Sequence, residues 1–465
     1  MEGIIVKLVT RIKKAAPRFE LGIKDLQSSA LPLGHAADVN PEESNNYINS
    51  IQSNYLLVIC NGHGEDLIAL EIIKRLLVLN NFDRIEVLPL VGSGYIFNNI
   101  NSENFVKIGH QLVLPSGGFS NQSLRGLFLD LKAGMLGNLI KNWIIVRNKF
   151  KNKYKIIAIG DLLPLFFAWS SKCNFGFIGT PKSDHTWNIR TGLSFLDFYH
   201  KLKGSEWDPW EMYFMRSSLC QFIIVRDQIT ANNLNNHKIK AKFFGNPMMD
   251  FIADEYKNDK RINSFQKIII LIGSRYPEAF KNLDVFLCCL KEINFIKESL
   301  IFVPLSANSD VKEIENYFVK HNFVKELNQK FDIGEESIWI KKNIIFLLGK
   351  NTFNIWANLA DVGLANAGTA TEQISGLGIP SLSIPGKGPQ FTKSFARRQQ
   401  RLLGGSVIVC KNKVTLIKKL INLLLNEKDR LKQGAIGMKR MGGKGGSQRI
   451  VDYINFKFQR CSKIN

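Results

Sequence analysis

Glu372, preceded closely by Thr369 and Thr371, lies in the stretch Asn366 to Gln390, NAGTATEQISGLGIPSLSIPGKGPQ. The order of residue types reads as a Gly-rich turn, one helix, a buried strand and a second Gly/Pro-rich turn. Either threonine is expected to cap the helix. The helix start then directs backbone N–H groups at whatever precedes it, which is a way to hold a phosphate without a metal. Glu372 falls in the first turn, within reach of a sugar hydroxyl beside that phosphate, and the turn from Pro385 to Gln390 closes the opposite wall. Gly368 and Gln373 complete this group of candidate binding residues. A phosphate with a sugar beside it is the chemistry of a nucleotide-sugar.

A second anion site is expected at Gly273-Ser274-Arg275, directly after a buried strand. Glycine lets the backbone approach a ligand, Ser274 can donate a hydrogen bond, and Arg275 can pair with a diphosphate. The bland alternative is a strand-to-loop turn with a solvated arginine. Earlier in the chain, Asn61-Gly62-His63-Gly64-Glu65-Asp66 follows the first strand, where His63 or Glu65 can serve as a general base toward an acceptor hydroxyl. The competing account is a helix start whose acids complement the dipole. Asp161, at another strand end, is a candidate base or a helix cap. Lys182, Asp184 and His185 follow a further strand as possible phosphate and acceptor contacts, or as an ordinary solvated loop.

The elements that would position these groups are short apolar runs alternating with helical patterns. Strands are expected at Tyr55–Cys60, Ile85–Leu90, Gln111–Leu114, Ile156–Gly160, Phe175–Ile178, Phe222–Val225 and Lys242–Phe244. After a polar break the pattern restarts at Ile268–Ile272, Leu300–Pro304, Ile344–Leu348, Val362–Ala365, Ser381–Ile384 and Ser406–Val409. Such alternation predicts an α/β protein of two doubly wound, Rossmann-like domains facing a cleft. The expected division is a poorly ordered or non-native extension over 1–50, an acceptor-side domain over 51–250 and a nucleotide-sugar domain over 251–445. The Lys-rich helices are expected to end near Ala435, and a C-terminal helix fills 446–465.

The 465 residues carry 62 Lys and Arg against 40 Asp and Glu, a net +22, which favours an anionic partner: a phosphorylated substrate or an anionic membrane surface. Leu124–Lys155 concentrates this, with eight basic residues and one acid interleaved with Leu127, Phe128, Leu131, Met135, Leu136, Leu139, Ile140 and Trp143. It is either a membrane-resting amphipathic segment or a core helix with a solvated rim. The seven cysteines form no CxxC and no His-flanked cluster in sequence, so they read as small core residues in a reducing compartment. No apolar run reaches the ~18–20 residues of a membrane span. The expected setting is cytoplasmic, soluble or peripheral on the inner membrane, with no nucleic-acid partner.

The motifs NGHGED (61–66), GTPKSD (179–184), PWEMYFMRS (209–217), VRD (225–227), GNPMMD (245–250), GSRYPEA (273–279) and GTATEQISGLGIPSLSIPGKGPQFTKSFARRQQRLLG (368–404), in this order, resemble those of the lipid-A-disaccharide-synthase-related proteins. The resemblance runs from about Tyr55 onward and implies the GT-B glycosyltransferase fold. It also implies a UDP-sugar donor, a lipid-linked or lipid-modified sugar acceptor, and neither metal nor cofactor. By that likeness Glu372 holds the ribose, Thr369 and Thr371 face the phosphate, Gln390 faces the sugar, and Ser274 with Arg275 meets the diphosphate. Asp161 matches, by position, an aspartate important for catalysis. The loop Asn61–Asp66 departs from the Ser-Gly-Glu-x-Ser-Gly-Asp of true synthases, so the donor class carries over better than the acceptor. The implied reaction is inverting glycosyl transfer. A UDP-sugar 2-epimerase on the same fold and a non-catalytic nucleotide-sugar-binding protein are the alternatives.

Overall fold

The computed structural model describes residues 54–62, 64–112, 124–149, 154–187, 195–252, 262–293, 295, 297–307, 309–386 and 391–462. The proposed extension over 1–50, His63 and Gln390 lie outside the described residues. The first half runs β1 (Tyr55–Cys60), α1 (Gly64–Leu79), β2 (Arg84–Pro89), β3 (Phe105–Lys107), α2 (Leu124–Lys132), α3 (Met135–Asn148) and β4 (Lys155–Gly160). It continues with α4 (Leu162–Ser170), β5 (Phe175–Gly179), α5 (Phe195–Lys203), α6 (Pro209–Met215), β6 (Cys220–Val225), α7 (Gln228–Asn236) and β7 (Ala241–Lys242). Among the described residues these strands form one parallel sheet, ordered β3-β2-β1-β4-β5-β6-β7. Helices cover both faces, so β1 and β4 can be buried runs of Leu, Ile and Val. The strand order reverses between β1 and β4, which opens a crevice at their carboxyl ends. Asn61 and Asp161 flank that crevice.

The second half supplies β8 (Gln266–Leu271), α8 (Glu278–Leu290), β9 (Ser299–Leu305), α9 (Val311–Lys320), β10 (Val324–Glu326), β11 (Ser337–Lys341), β12 (Ile344–Lys350) and α10 (Phe353–Leu359). Then follow β13 (Val362–Ala365), α11 (Thr369–Gly376), β14 (Ser381–Ser383), α12 (Lys393–Leu403), β15 (Val407–Val409), α13 (Lys413–Leu425), α14 (Glu427–Met441) and α15 (Gly446–Ser462). Their sheet is ordered β10-β11-β12-β9-β8-β13-β14-β15, and its reversal between β8 and β13 sets Gly273 beside Asn366. Residues Ser53–Asn465 form a single compact unit.

The structure departs from the sequence reading at four places. Of the run Gln111–Leu114, Leu112 forms an isolated bridge to Gly92 and Val113 and Leu114 lie outside the described residues, so among the described residues β3 takes the edge. The antiparallel β10 and β11 went unanticipated, because VKE is polar and largely exposed at a sheet edge. Helix α14 continues past Ala435 to Met441, which is buried, and stops at Gly442 with φ +75°. Finally, α15 is not an appendage. Ile450, Val451, Ile454 and Phe458 are buried in the core beneath β1 and β6, so the last helix completes the first sheet's packing.

The chain therefore crosses between the sheets twice, at Gly245–Ile252 and again at Gly442–Gly446. Asp250 stitches the crossings: its carboxylate accepts the backbone N–H groups of Gly445 at 2.5 Å and Ser447 at 2.6 Å. This gives GNPMMD and the Gly-rich turn one shared structural role. Phe458, 1% exposed, packs on Phe222 with ring centroids 5.4 Å apart. Phe458→Ala should cost about 3–5 kcal/mol by removing a buried ring. Urea unfolding followed by circular dichroism checks this, and an unchanged midpoint would mean that the helix does not stabilise the first sheet.

Candidate active site

Three loops at the carboxyl edge of the second sheet are knitted by one side chain. Asn366 donates from Nδ2 to Asn282 Oδ1 (3.1 Å) and to the Ile384 carbonyl (2.9 Å), and its Oδ1 accepts the Ile384 N–H (3.2 Å). Asn282 in turn donates to the Ile272 carbonyl. Gly273, at φ +89°, lies so close to Asn366 that a Cβ would sit 3.3 Å from the Asn366 carbonyl oxygen. Only glycine suits both that backbone and that approach.

Helix α11 starts here, without the cap expected from its threonines. The N-cap is Gly368 with no side-chain cap bond, while Thr371 is buried and donates its hydroxyl back to the Ala367 carbonyl. Thr369 is exposed. The correction keeps the anion-site geometry, because the N-cap residue itself makes no side-chain cap bond. Gln399 on α12 donates to the carbonyls of both Ala367 and Gly368 (2.9 and 3.1 Å). In a trans peptide the N–H points opposite the C=O. The N–H groups of Gly368 and Thr369 are therefore turned away from Gln399, as an anion site requires.

Gln373, also expected at the ligand, instead turns away. It is buried and donates to the Met248 carbonyl in the inter-sheet crossing. Ser274 is exposed and Arg275 half-buried. Burial lowers the Arg275 pKa, and nearby Glu278 opposes that shift.

At the first sheet, Asn61, Glu65 and Asp161 converge. Asn61 Nδ2 donates to Asp161 Oδ1 (2.9 Å), and the Leu163 N–H donates to the same oxygen (3.3 Å). Asp161 is thus a helix cap, and both of these bonds fall on Oδ1. Asn61 Oδ1 is buried without a donor. Gly160, at φ +134°, brings these groups together; a Cβ there would lie 3.1 Å from Asn61 and 3.6 Å from the Glu65 side chain. Thr180, at the end of β5, donates its hydroxyl to Glu65 Oε1 (3.2 Å). Burial, with the negative Asp161 and Asp66 nearby, raises the Glu65 pKa to about 7. Burial also raises Asp161, against the Leu163 N–H and Lys182, and takes Asp66 to about 6. Asp66 Oδ1 accepts the Gly62 N–H and so folds the loop on itself. Gly64 opens α1.

Two acceptor-side candidates serve the fold. Asp184 is fully buried, and its carboxylate accepts from Trp187, Ser205, the Glu206 N–H and Asn233. Lys182 bonds Glu211 (2.5 Å), with Asp208 at 3.5 Å, and lies over the Trp207 ring. Its charge is met by protein carboxylates. Burial, assisted by Arg440 and Arg226 and opposed by Asp227, lowers His185 to about 4, leaving it neutral at pH 7.

The groups that join the two carboxyl edges were not assigned from sequence. Arg226, just past β6, bonds Glu372 at 2.9 Å, with side-chain exposures of 9% and 15%. From α12, Arg398 bonds Glu206, and Arg401 bonds Asp197 (2.7 Å) and the Thr186 carbonyl. VRD and FARRQQR were visible as motifs, but nothing local marks which acids these arginines meet.

No family model and no curated protein matches the chain. Solved structures do. A candidate UDP-N-acetylglucosamine 2-epimerase from Listeria monocytogenes shares 13% identity at TM-score 0.53, covering 87% of this chain and 97% of that one. The calicheamicin glycosyltransferase CalG4 shares 10% at TM-score 0.53, covering 88% and 99%. MurG of Acinetobacter baumannii shares 13% at TM-score 0.50, covering 86% and 99%. The chain has the GT-B fold. At these identities the likeness is one of architecture, and within the GT-B frame the cleft lies where the carboxyl edges of the two sheets meet.

The raised carboxyl pKa values have a consequence for stability. A carboxyl whose folded pKa exceeds its unfolded value holds its proton more tightly when folded. The resulting stability is present below the unfolded pKa and is lost as pH rises through the folded one. For Glu65 that window runs from 4.5 to about 7, and for Asp66 from 3.8 to about 6. Glu65→Gln should flatten the decline between these limits and be the more stable form above pH 7, by up to ~3 kcal/mol. Urea midpoints measured from pH 4 to 8 check this; parallel curves for the two proteins would rule out the raised pKa.

Proposed function

We propose that this protein is a UDP-sugar-dependent, inverting glycosyltransferase whose acceptor is a lipid-linked or lipid-modified sugar. The observation that carries the reading is the start of α11: no side chain caps it, Gln399 orients its amides, and Glu372 stands in its first turn. A diphosphate between these amides and the Gly273–Arg275 loop would be held by backbone dipoles and one guanidinium. Glu372 would exchange Arg226 for the ribose hydroxyls. Arg226, released beside the diphosphate, would add to the stabilisation of the departing UDP. The reading needs no metal or other cofactor for that charge.

On the opposite edge, Asp161 would take the acceptor's proton at Oδ2 while Asn61 holds Oδ1 and fixes the carboxyl's direction. The unpartnered Asn61 Oδ1 would accept from a neighbouring acceptor hydroxyl. Glu65, near neutrality in pKa, would set the charge of this pair. His63, read as a candidate base from its place after β1, and Gln390, placed at the sugar by the family resemblance, stay proposals from sequence.

A lipid-linked acceptor is supported by the face of α2 and α3. Leu139, Trp143 and Val146 pack inward, whereas Phe128, Leu129, Leu131, Leu136, Ile140 and Ile144 are exposed among Lys132, Lys141 and Arg147. One face of this segment is core, and the other is apolar with a basic rim. Among the described residues no helix is long and apolar enough to cross a membrane. Adsorption to an anionic leaflet fits this surface. Phe128→Asp with Ile140→Asp should reduce co-sedimentation with phosphatidylglycerol vesicles several-fold and leave UDP affinity intact. Equal sedimentation of both forms would discard the membrane role.

The second reading, a 2-epimerase, draws on the likeness to the Listeria structure. Incubation with UDP-N-acetylglucosamine alone separates the two: appearance of the 2-epimer in the NMR spectrum would replace the transferase reading. Within the transferase reading, Glu372→Gln should weaken UDP binding ~10–100-fold through loss of a charge-assisted hydrogen bond. Asp161→Asn should lower kcat ~10²–10⁴-fold while donor affinity holds. Calorimetry with UDP and turnover across lipid-linked acceptors check these outcomes. Unchanged UDP affinity in Glu372→Gln would refute the donor site.

A further inference from the structure

Away from the cleft, α8 and the end of α9 bring together three groups that are far apart in sequence. Asp284 and Cys288 are four residues apart on α8, one helical turn, and so share a face. His321 caps the C-terminus of α9, its side chain only 4% exposed. Its backbone is pinned on both sides: the His321 N–H donates to the Tyr317 and Phe318 carbonyls, and its own carbonyl accepts Lys341 at 2.7 Å. The ring has little freedom to move. His321 Nε2 lies 3.0 Å from Asp284 Oδ1 and 4.0 Å from Cys288 Sγ, and all three atoms fall within 4.8 Å of one another.

The arrangement excludes one familiar use of these residue types. A Cys-His-Asp nucleophile requires the thiol on one ring nitrogen and the carboxylate on the other, so that the acid orients the base. Here both neighbours face Nε2, and Nδ1 is buried without a hydrogen-bond partner. Thiol, imidazole and carboxylate converge on a single point, as ligands of one ion do.

We propose that Asp284, Cys288 and His321 form a site for a borderline-soft divalent cation of the zinc class. Thiolate, imidazole and carboxylate are its preferred donors, at ~2.0–2.3 Å, which in tetrahedral geometry places ligand atoms ~3.2–3.6 Å apart. The present separations reach that range with sub-ångström shifts of the side chains. Water would take the fourth position. Binding removes the thiol proton to solvent and displaces Lys320, whose ammonium holds Asp284 Oδ1 at 2.9 Å. The Lys320 side chain is 63% exposed and can leave without uncovering the core. The ion would clip α8 to α9. The first turns of α8 carry Glu278, which holds the Phe391 N–H, and Asn282, which holds Asn366. The clip would therefore brace the helix that supports the donor loops from outside the cleft.

The test is a titration of the full-length, chelator-stripped protein with Co²⁺ alone. The expected result is one equivalent bound, with a thiolate-to-cobalt charge-transfer band and visible bands of tetrahedral intensity. Cys288→Ser should abolish the charge-transfer band. Asp284→Asn and His321→Gln should weaken binding at least ~10-fold. Circular dichroism reports whether each variant is folded. Asp284→Asn, at a half-exposed helix position, supplies the comparison if Cys288→Ser does not fold. Co²⁺ binding without a thiolate band, a band that persists in Cys288→Ser, or affinity unchanged in folded Asp284→Asn would each overturn the site.

Discussion

The amide of Asn366 is the interaction on which the second sheet's ligand edge depends. Asn366 holds both backbone groups of Ile384, past β14, and the Asn282 side chain, which in turn holds the Ile272 carbonyl past β8. Each bond contributes only ~1 kcal/mol net, but a buried backbone group left alone costs ~1–3 kcal/mol. The larger effect is geometric. Gly273 rests against the Asn366 carbonyl, and the peptides held by Gln399 begin one residue further on. If Asn366 moves, the helix start moves with it.

The first sheet's edge follows the opposite principle, leaving polar groups incompletely satisfied. Among the described residues the Asn61 Oδ1 acceptor meets no donor, the negative Asp161 adds to the rise of Glu65, and burial denies both carboxyls full solvation. A core built this way would be unstable. At a strand-order reversal the crevice is open, and on the proposed reading a hydroxyl-bearing ligand would supply the missing donors. On that reading the two edges would divide the work: one would present amides to an anion, the other would hold protonable groups for a hydroxyl.

Much of this architecture was legible because β1 and β13 are apolar runs bounded by loops, which fixes their limits to the residue. The placement of the candidate groups at strand ends was legible too, since carboxyl ends of strands are where a doubly wound sheet exposes side chains. Pairings were not. Asp184 resembles a loop acid until Trp187, Ser205 and Asn233 are seen around it, and Gln373 resembles a ligand contact until it reaches Met248. The same limit hid Cys288 beside His321, thirty-three residues away. Sequence shows which groups can bond; only the fold assigns the partner.

The charge between the two edges bears on how the cleft works. Arg398 and Arg401 extend from α12 to Glu206 and Asp197, while Arg226 extends the other way to Glu372. These ion pairs are not equivalent. Arg398 and Arg401 belong to the helix whose Gln399 holds the Ala367–Gly368 turn, so pairing on its outer face and positioning of the turn are coupled through one rigid element. Arg226 and Glu372 are more enclosed, and exchanging their partners inside the cleft leaves neither charge buried alone, provided the ligand brings a hydroxyl for the one and a phosphate for the other. A nucleoside diphosphate brings both. A free phosphate brings only one and strands Glu372 at the desolvation cost of an unpaired buried carboxylate, several kcal/mol. On the proposed reading the pair would thereby favour a whole nucleotide over free phosphate, before any contact with the base is counted.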